Sequence, residues 1–177
     1  MNRAAFLDRD GVINEARAYV YRSADFEFIP GSIDALRALS AAGFLLVVIT
    51  NQSGIARGLF SESQYRELEA YMRERLAAAG VSLDSIQYCP HLPDAQVPRY
   101  RLDCECRKPR AGMIRNAAEQ LQIDLRQSVL IGDRQADIEA GRAAGVGRCF
   151  LVRSGQPLAA GGEPLADAVY EDRKSVV

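Results

Sequence analysis

Asp8 and Asp10, one residue apart in Phe6-Leu7-Asp8-Arg9-Asp10-Gly11-Val12, close the first apolar run of the chain. Side chains two apart on an extended segment point the same way, and crowded carboxylates are unfavourable unless a cation or a raised pKa relieves them. A magnesium ion would relieve them. Taken alone, the pair fits equally well a polar strand end capped by turn-forming Asp and Gly. Three further sets follow in order. Thr50-Asn51-Gln52, after the run Phe44 to Ile49, offers a hydroxyl and an amide that can bind phosphoryl oxygens. Arg107-Lys108-Pro109 supplies two adjacent cations, and Gly132-Asp133-Arg134-Gln135-Ala136-Asp137 adds carboxylates after Val129-Leu130-Ile131.

A second kind of chemistry sits between the second and third sets. Cys89-Pro90-His91 and Cys104-Glu105-Cys106 bring three of the four cysteines together with the only histidine. Three thiolates and one imidazole make a closed tetrahedral zinc set. The intervening residues, rich in Pro and polar side chains, show little core of their own, so a zinc ion would supply the missing order. A disulfide, disfavoured in a reducing compartment, and buried free thiols beside an incidental histidine are the other readings. Four protein ligands leave no open position, which makes such a zinc structural. Cys149 falls in an apolar run and reads as core.

The elements that must position these groups alternate strand-like runs with helical patterns, which predicts an α/β fold with a doubly wound, mainly parallel sheet. Ala4 to Leu7, Phe44 to Ile49, Val129 to Ile131 and Gly147 to Val152 read as strands. Helices are expected over Ser32 to Ala42, Ser61 to Ala79, Ala111 to Leu121 and Gln135 to Ala144. Ser61 with Gln64 forms a possible capping box for the second of these. In an open parallel sheet ligands bind beyond the carboxyl ends of the strands, where the aspartates stand. Between Asp10 and Thr50 there is room for a flap and one helix but not for a separate cap domain. Shielding falls to three segments, around Ala18 to Tyr21, the glycine-flanked loop Ser53 to Gly58, and Tyr88 to Arg107. One domain spanning residues 1–177 is expected, with a Gly-, Ala- and Pro-rich tail after Ser154 partly mobile.

Composition limits the partners. The net charge of -1 and sequence pI ≈ 5.9 argue against a general nucleic-acid binder, which shows a basic excess. The 7% aromatic content without tryptophan gives little for base stacking. No signal-peptide pattern and no membrane-length apolar stretch is present, so a cytoplasmic protein with no membrane contact is expected. Nothing in the chain requires an oligomer, and a monomer is expected. Arg99, Arg101 and Arg110 add charge near Arg107 and Lys108. That surplus suggests a second anionic group on the substrate, although such clusters are commonly solvated faces.

The four sets, in their order, resemble the motifs of the haloacid dehalogenase superfamily of phosphohydrolases: Asp-x-Asp, a Thr or Ser, a Lys, and Gly-Asp-x-x-x-Asp. Longer strings sharpen the resemblance. Phe6 to Asn14, Phe26-Glu27-Phe28-Ile29-Pro30-Gly31, Thr50 to Gly58, Tyr88-Cys89-Pro90-His91 and Cys104 to Pro109 are similar to the heptose 1,7-bisphosphate 7-phosphatases, over about Phe6 to Val152. The resemblance implies a minimally capped enzyme that removes the 7-phosphate of a small sugar bisphosphate on the route to activated heptose for bacterial surface polysaccharide. It implies Asp8 as nucleophile, Asp10 as acid and base, and Mg²⁺ held by Asp8, the Asp10 carbonyl and Asp133, with Asp137 in support. Thr50 and Lys108 would bind the transferring phosphoryl group, Asn51 and Arg107 the rest of the substrate, and Cys89, His91, Cys104 and Cys106 a structural Zn²⁺. Arg134 stands where the family often has Lys. Histidinol-phosphate phosphatase is the nearest alternative. Phosphatases of nucleic-acid ends, which share the Asp-x-Asp-Gly and Thr-Asn-Gln strings, are a more distant one, and a non-catalytic zinc module would have no need of both carboxylates.

Overall fold

The computed structural model describes residues 1–153 and 165–170. Among these, six strands form one parallel sheet: β1 (Arg3–Leu7), β2 (Phe44–Asn51), β3 (Ser85–Cys89), β4 (Val129–Gly132), β5 (Arg148–Val152) and β6 (Ala168–Tyr170), in the order β3-β2-β1-β4-β5-β6. The helices are α1 (Ser32–Ala41), α2 (Ser53–Ala56), α3 (Glu62–Ala78), α4 (Gly112–Leu121) and α5 (Gln135–Ala144).

The two-residue period of the pleat distributes the apolar runs. Ala5 and Leu7 of β1, with Leu46 and Val48 of β2, pack against Leu36 and Leu39 of α1 and Leu68, Met72 and Leu76 of α3. Ala4, Phe6, Val47 and Ile49 face the other way, onto Met113, Ile114 and Ala117 of α4 and Ile138 and Ala140 of α5. Both faces are covered, so the central strands are apolar throughout. The doubly wound arrangement is the one expected.

From β1 the chain builds outward through β2 to β3, then returns to place β4 on the other side of β1. That reversal opens a crevice at the carboxyl ends of β1 and β4. The capping box at α3 forms: Gln64 N–H donates to Ser61 Oγ (3.2 Å) and Ser61 N–H to Gln64 Oε1 (2.9 Å).

Two expectations need correction, those for Ser53 to Gly58 and for the segment after Cys89, and one strand, β3, is not among those expected. The edge strand β3 carries no clear apolar pattern; four of its five residues are only partly buried, as an edge position allows. Ser53–Ala56 is a helical turn and not part of a loop, seated by Phe60, whose ring a Cβ at Gly54 would overlap. The segment after Cys89 does have a core: Leu92, Ala95 and Tyr100 are buried with Ile55, Ala56, Phe60 and Tyr65. Of the tail expected to be partly mobile, Ala168–Tyr170 pairs with β5; residues 154–164 and 171–177 lie outside the described residues.

Candidate active site and metal centre

Asp8 follows β1, Thr50 and Asn51 end β2, Asp133 follows β4, and Asp137 lies in the first turn of α5. Lys108 arrives from the loop between β3 and α4, and its buried ammonium meets three partners. It pairs with Asp8 Oδ1 at 3.0 Å and Asp137 Oδ1 at 2.6 Å, and donates to Ile49 O at 2.9 Å. Asp8 Oδ1 also accepts from the Arg9 N–H at 2.7 Å, so the rotation of the nucleophile candidate is set by two donors. Asp137 Oδ2 accepts from the Arg134 N–H at 3.0 Å, capping α5. Gly132 is required by this approach, because a Cβ there would overlap the Asp137 side chain.

Asn51 is turned toward Lys108 as much as toward the cleft. Its amide donates to Lys108 O and accepts from Lys108 N–H, both at 3.1 Å, and so fixes the backbone that carries the lysine. Thr50 Oγ1 accepts from Gln52 Nε2 at 2.9 Å, and the same nitrogen donates to Asp10 Oδ2 at 3.2 Å. Asn14 Nδ2 donates to Asp10 Oδ1 at 3.0 Å, and Arg9 Nη2 lies 2.9 Å from both Asp10 oxygens. Arg9, Asn14 and Gln52 were not singled out from the sequence. Their one signal there is membership of strings whose other residues carry the chemistry.

Asp8, Asp10, Thr50, Asn51, Arg107, Lys108, Arg134, Ala136 and Asp137 line one small, open cleft of ≈ 200 Å³. Of the five arginines in the basic cluster and the last motif, Arg107 and Arg134 reach it. Arg110 is instead engaged by Asp103, Glu105 and the Cys104 carbonyl, Arg101 by the Ala95 carbonyl, and Arg99 lies over the Tyr100 ring. These three do not line the cleft, which corrects the expectation of a general cationic surplus beside the site.

Two groups could hold metals. Asp8, Asp133 and Asp137 bring carboxylate oxygens within 4.8 Å of one another, an oxygen-only set suited to Mg²⁺. Cys89, His91, Cys104 and Cys106 form the other. Their Sγ···Sγ distances are 3.5 Å (Cys89–Cys104) and 3.3 Å (Cys104–Cys106), and His91 Nδ1 lies 3.8 Å from Cys89 Sγ and 3.4 Å from Cys106 Sγ. Tetrahedral Zn²⁺ with ordinary bond lengths requires edges of about 3.8 Å between sulfurs and about 3.5 Å from sulfur to nitrogen. The sulfur–nitrogen distances lie near the required edge and the sulfur–sulfur distances fall short of it, so the four atoms are gathered closely enough to converge on one metal ion. Arg107 Nη1 donates to the His91 carbonyl at 3.3 Å, which links this cluster to the cleft.

The profile of the HAD-like hydrolases matches residues 105–172. The chain is 48% identical to the D-glycero-beta-D-manno-heptose-1,7-bisphosphate 7-phosphatase of Haemophilus influenzae, over 97% of this chain and 92% of that one. The enzyme of the same name from Escherichia coli K12 is 49% identical, over 94% and 87%. The chain belongs to this phosphatase family. Among solved structures, the D,D-heptose 1,7-bisphosphate phosphatase of B. bronchiseptica, complexed with magnesium and phosphate, superposes with a TM-score of 0.84 at 37% identity, covering 96% of this chain and 93% of that one. In this member of the family no helix among the described residues is long and apolar enough to cross a membrane.

The electrostatics of the carboxylate group in this 7-phosphatase homologue make a cation testable. Burial, reinforced by Asp137, Asp133 and Asp10 and opposed by Lys108, pushes Asp8 from the ordinary 3.8 up to about 8. Burial and Asp137 push Asp133 to about 6. Lys108 goes the other way: burial works against its charge, but Asp137 and Asp8 outweigh it and hold the ammonium above the usual lysine range. Both carboxyls bind protons more tightly folded than unfolded. Their contribution to stability is thus complete below the unfolded value and lost as pH rises through about 6 and then about 8. A divalent cation competes with those protons. Thermal melts should show a larger Mg²⁺-induced rise in Tm at pH 8 than at pH 5.5, and equal rises would place the cation away from Asp8 and Asp133.

Proposed function

We propose that the chain hydrolyses the 7-phosphate of D-glycero-β-D-manno-heptose 1,7-bisphosphate through a phosphorylated Asp8. The carrying observation is one cleft that joins Asp8, Asp10, Thr50 and Lys108 to two further cations, Arg107 and Arg134. Transfer of one phosphoryl group accounts for the first four; a second phosphate accounts for the arginines.

Asp8 attacks phosphorus in line with the ester oxygen of C7, forming a P–O bond to its carboxylate while the bond to the sugar oxygen breaks. Asp10 gives that oxygen its proton. Water then attacks the phosphorus, its proton passing to Asp10, and the bond to Asp8 breaks to release phosphate. Thr50 and Lys108 neutralise charge on the phosphoryl oxygens as it develops. Asp8, the carbonyl of Asp10 and Asp133 would hold Mg²⁺; Asp137, whose two oxygens serve Lys108 and the α5 N-terminus, supports them from outside. Bound Mg²⁺ would add electrostatic stabilisation of the same phosphoryl oxygens. Cys89, His91, Cys104 and Cys106 would hold Zn²⁺ as a structural ion. A monomer in the cytoplasm, where three zinc thiolates stay reduced, acting on a small molecule and on neither nucleic acid nor membrane, completes the reading.

The test is phosphate release, with Mg²⁺, from the heptose bisphosphate, histidinol phosphate and a 3′-phosphorylated oligonucleotide side by side. The bisphosphate should be hydrolysed with the highest kcat/KM; preference for either other substrate would overturn the assignment. Arg107→Ala should lower kcat/KM for the bisphosphate relative to para-nitrophenyl phosphate by roughly ten- to a hundred-fold, the value of a charge-assisted hydrogen bond. Equal losses on both substrates would move Arg107 to the transferring phosphoryl group.

A further inference from the structure

Arg9 lies between the two catalytic aspartates, yet it is absent from the lining of the cleft. It is among the largest fully buried side chains, 2% exposed. Its side chain donates from one nitrogen: Nη2 donates to both Asp10 oxygens at 2.9 Å and to the Val20 carbonyl, in the flap between β1 and α1, at 2.8 Å. Its Nε and Nη1 are buried with no hydrogen-bond partner among the described residues. The Tyr65 ring, 5.8 Å from the guanidinium carbon, provides the remaining support for the cation. A buried guanidinium with unmet donors is costly. An arginine kept only for packing would satisfy more of its nitrogens or be replaced by an apolar side chain. What this one does is fix Asp10 to the flap backbone.

The state in which it fixes Asp10 is informative. The carboxylate accepts from Arg9 at both oxygens, from Asn14 at Oδ1 and from Gln52 at Oδ2. All three neighbours donate to it and so fix where its oxygens stand. In the proposed reaction that placement matters most in the second half, when water attacks the phosphorylated Asp8 and hands its proton to Asp10.

We propose that Arg9 is a positioning residue for dephosphorylation of the enzyme, holding Asp10 to the Val20 carbonyl in the orientation that receives the proton of the attacking water. The inference rests on the acid–base reading of Asp10 given above. It predicts that losing Arg9 slows the second half of the cycle more than the first.

Para-nitrophenyl phosphate separates the halves, because nitrophenolate leaves without needing a proton from Asp10. With the Mg²⁺-supplied full-length protein, Arg9→Lys keeps a cation but cannot span both Asp10 and Val20. Its kcat on this substrate should fall at least about tenfold, within the range assigned to general base catalysis, while kcat/KM, which reports only steps through phosphoryl transfer, stays within about threefold. Rapid mixing should show a burst of nitrophenolate followed by slow turnover. Equal falls in kcat and kcat/KM with no burst would mean that Arg9 supports the fold of the site in general, and would overturn the proposal. Asp10→Asn is the control: if it shows no burst, the acid–base reading of Asp10 fails; if it bursts and a folded Arg9→Lys does not, Arg9 alone fails. Should Arg9→Lys not fold, guanidinium NMR decides with Arg9 in place. The Arg9 resonances should shift and exchange faster with solvent in Asp10→Asn, and an unchanged spectrum would overturn the coupling.

Discussion

Asp8→Asn should cut phosphate release from the heptose bisphosphate by roughly 10⁴-fold or more, the scale seen when an enzyme loses its nucleophile. An amide oxygen is a poor nucleophile, and no neighbouring group can substitute, because Asp10 is held by Arg9, Asn14 and Gln52 and Asp137 is committed to Lys108 and the start of α5. The fold should survive. The replacement is isosteric, Asp137 remains 2.6 Å from the Lys108 ammonium so that this buried cation is not stranded, and the lost carboxyl is one that burial already holds at about 8. The check is steady-state release of phosphate alongside a thermal melt. A folded variant that still turns over substantially would remove Asp8 from covalent catalysis.

Cys104→Ser should abolish zinc binding and cost a large part of the protein's stability. Apparent binding energies for structural zinc run to about 10–16 kcal/mol, against a net folding stability of about 5–15 kcal/mol for ordinary domains. Here the loss is tempered by the small apolar cluster of Leu92, Ala95 and Tyr100 under the same segment. A melted loop is therefore expected within a protein that keeps its sheet. The wild type purified without chelator should carry about one zinc per chain, and Cys104→Ser none, with a lower Tm and faster proteolysis between residues 89 and 106. Activity on the bisphosphate should fall too, because the His91 carbonyl that receives Arg107 belongs to that loop. Wild-type protein free of zinc by metal analysis, or a Cys104→Ser variant with unchanged Tm, would defeat the structural-zinc assignment.

Much of the site is legible as sequence, for a physical reason. A parallel sheet places its ligand at the carboxyl ends of strands, so each apolar run points to the residues just after it. Asp8, Thr50 and Asp133 could be placed that way, and the Cys-x-His and Cys-x-Cys pairs declare their chemistry through donor type and spacing alone. The helices follow from periodicity, and α5 matches its expected limits of Gln135 and Ala144. The remainder depends on approach and direction, which local patterns do not encode. The strand β3 is polar in part because an edge position demands little burial, and β6 is a three-residue strand recognisable only by pairing with β5. The string of arginines from Arg99 to Arg110 has charge but no stated direction; folding turns Arg107 into the cleft and gives Arg101 and Arg110 to the zinc segment itself. The reciprocal bonds of Asn51 with Lys108 span 57 residues. Above all, nothing local distinguishes Arg9 from a solvent-facing residue between two aspartates. Its role exists because the flap brings the Val20 carbonyl, and α3 the Tyr65 ring, over the same buried guanidinium.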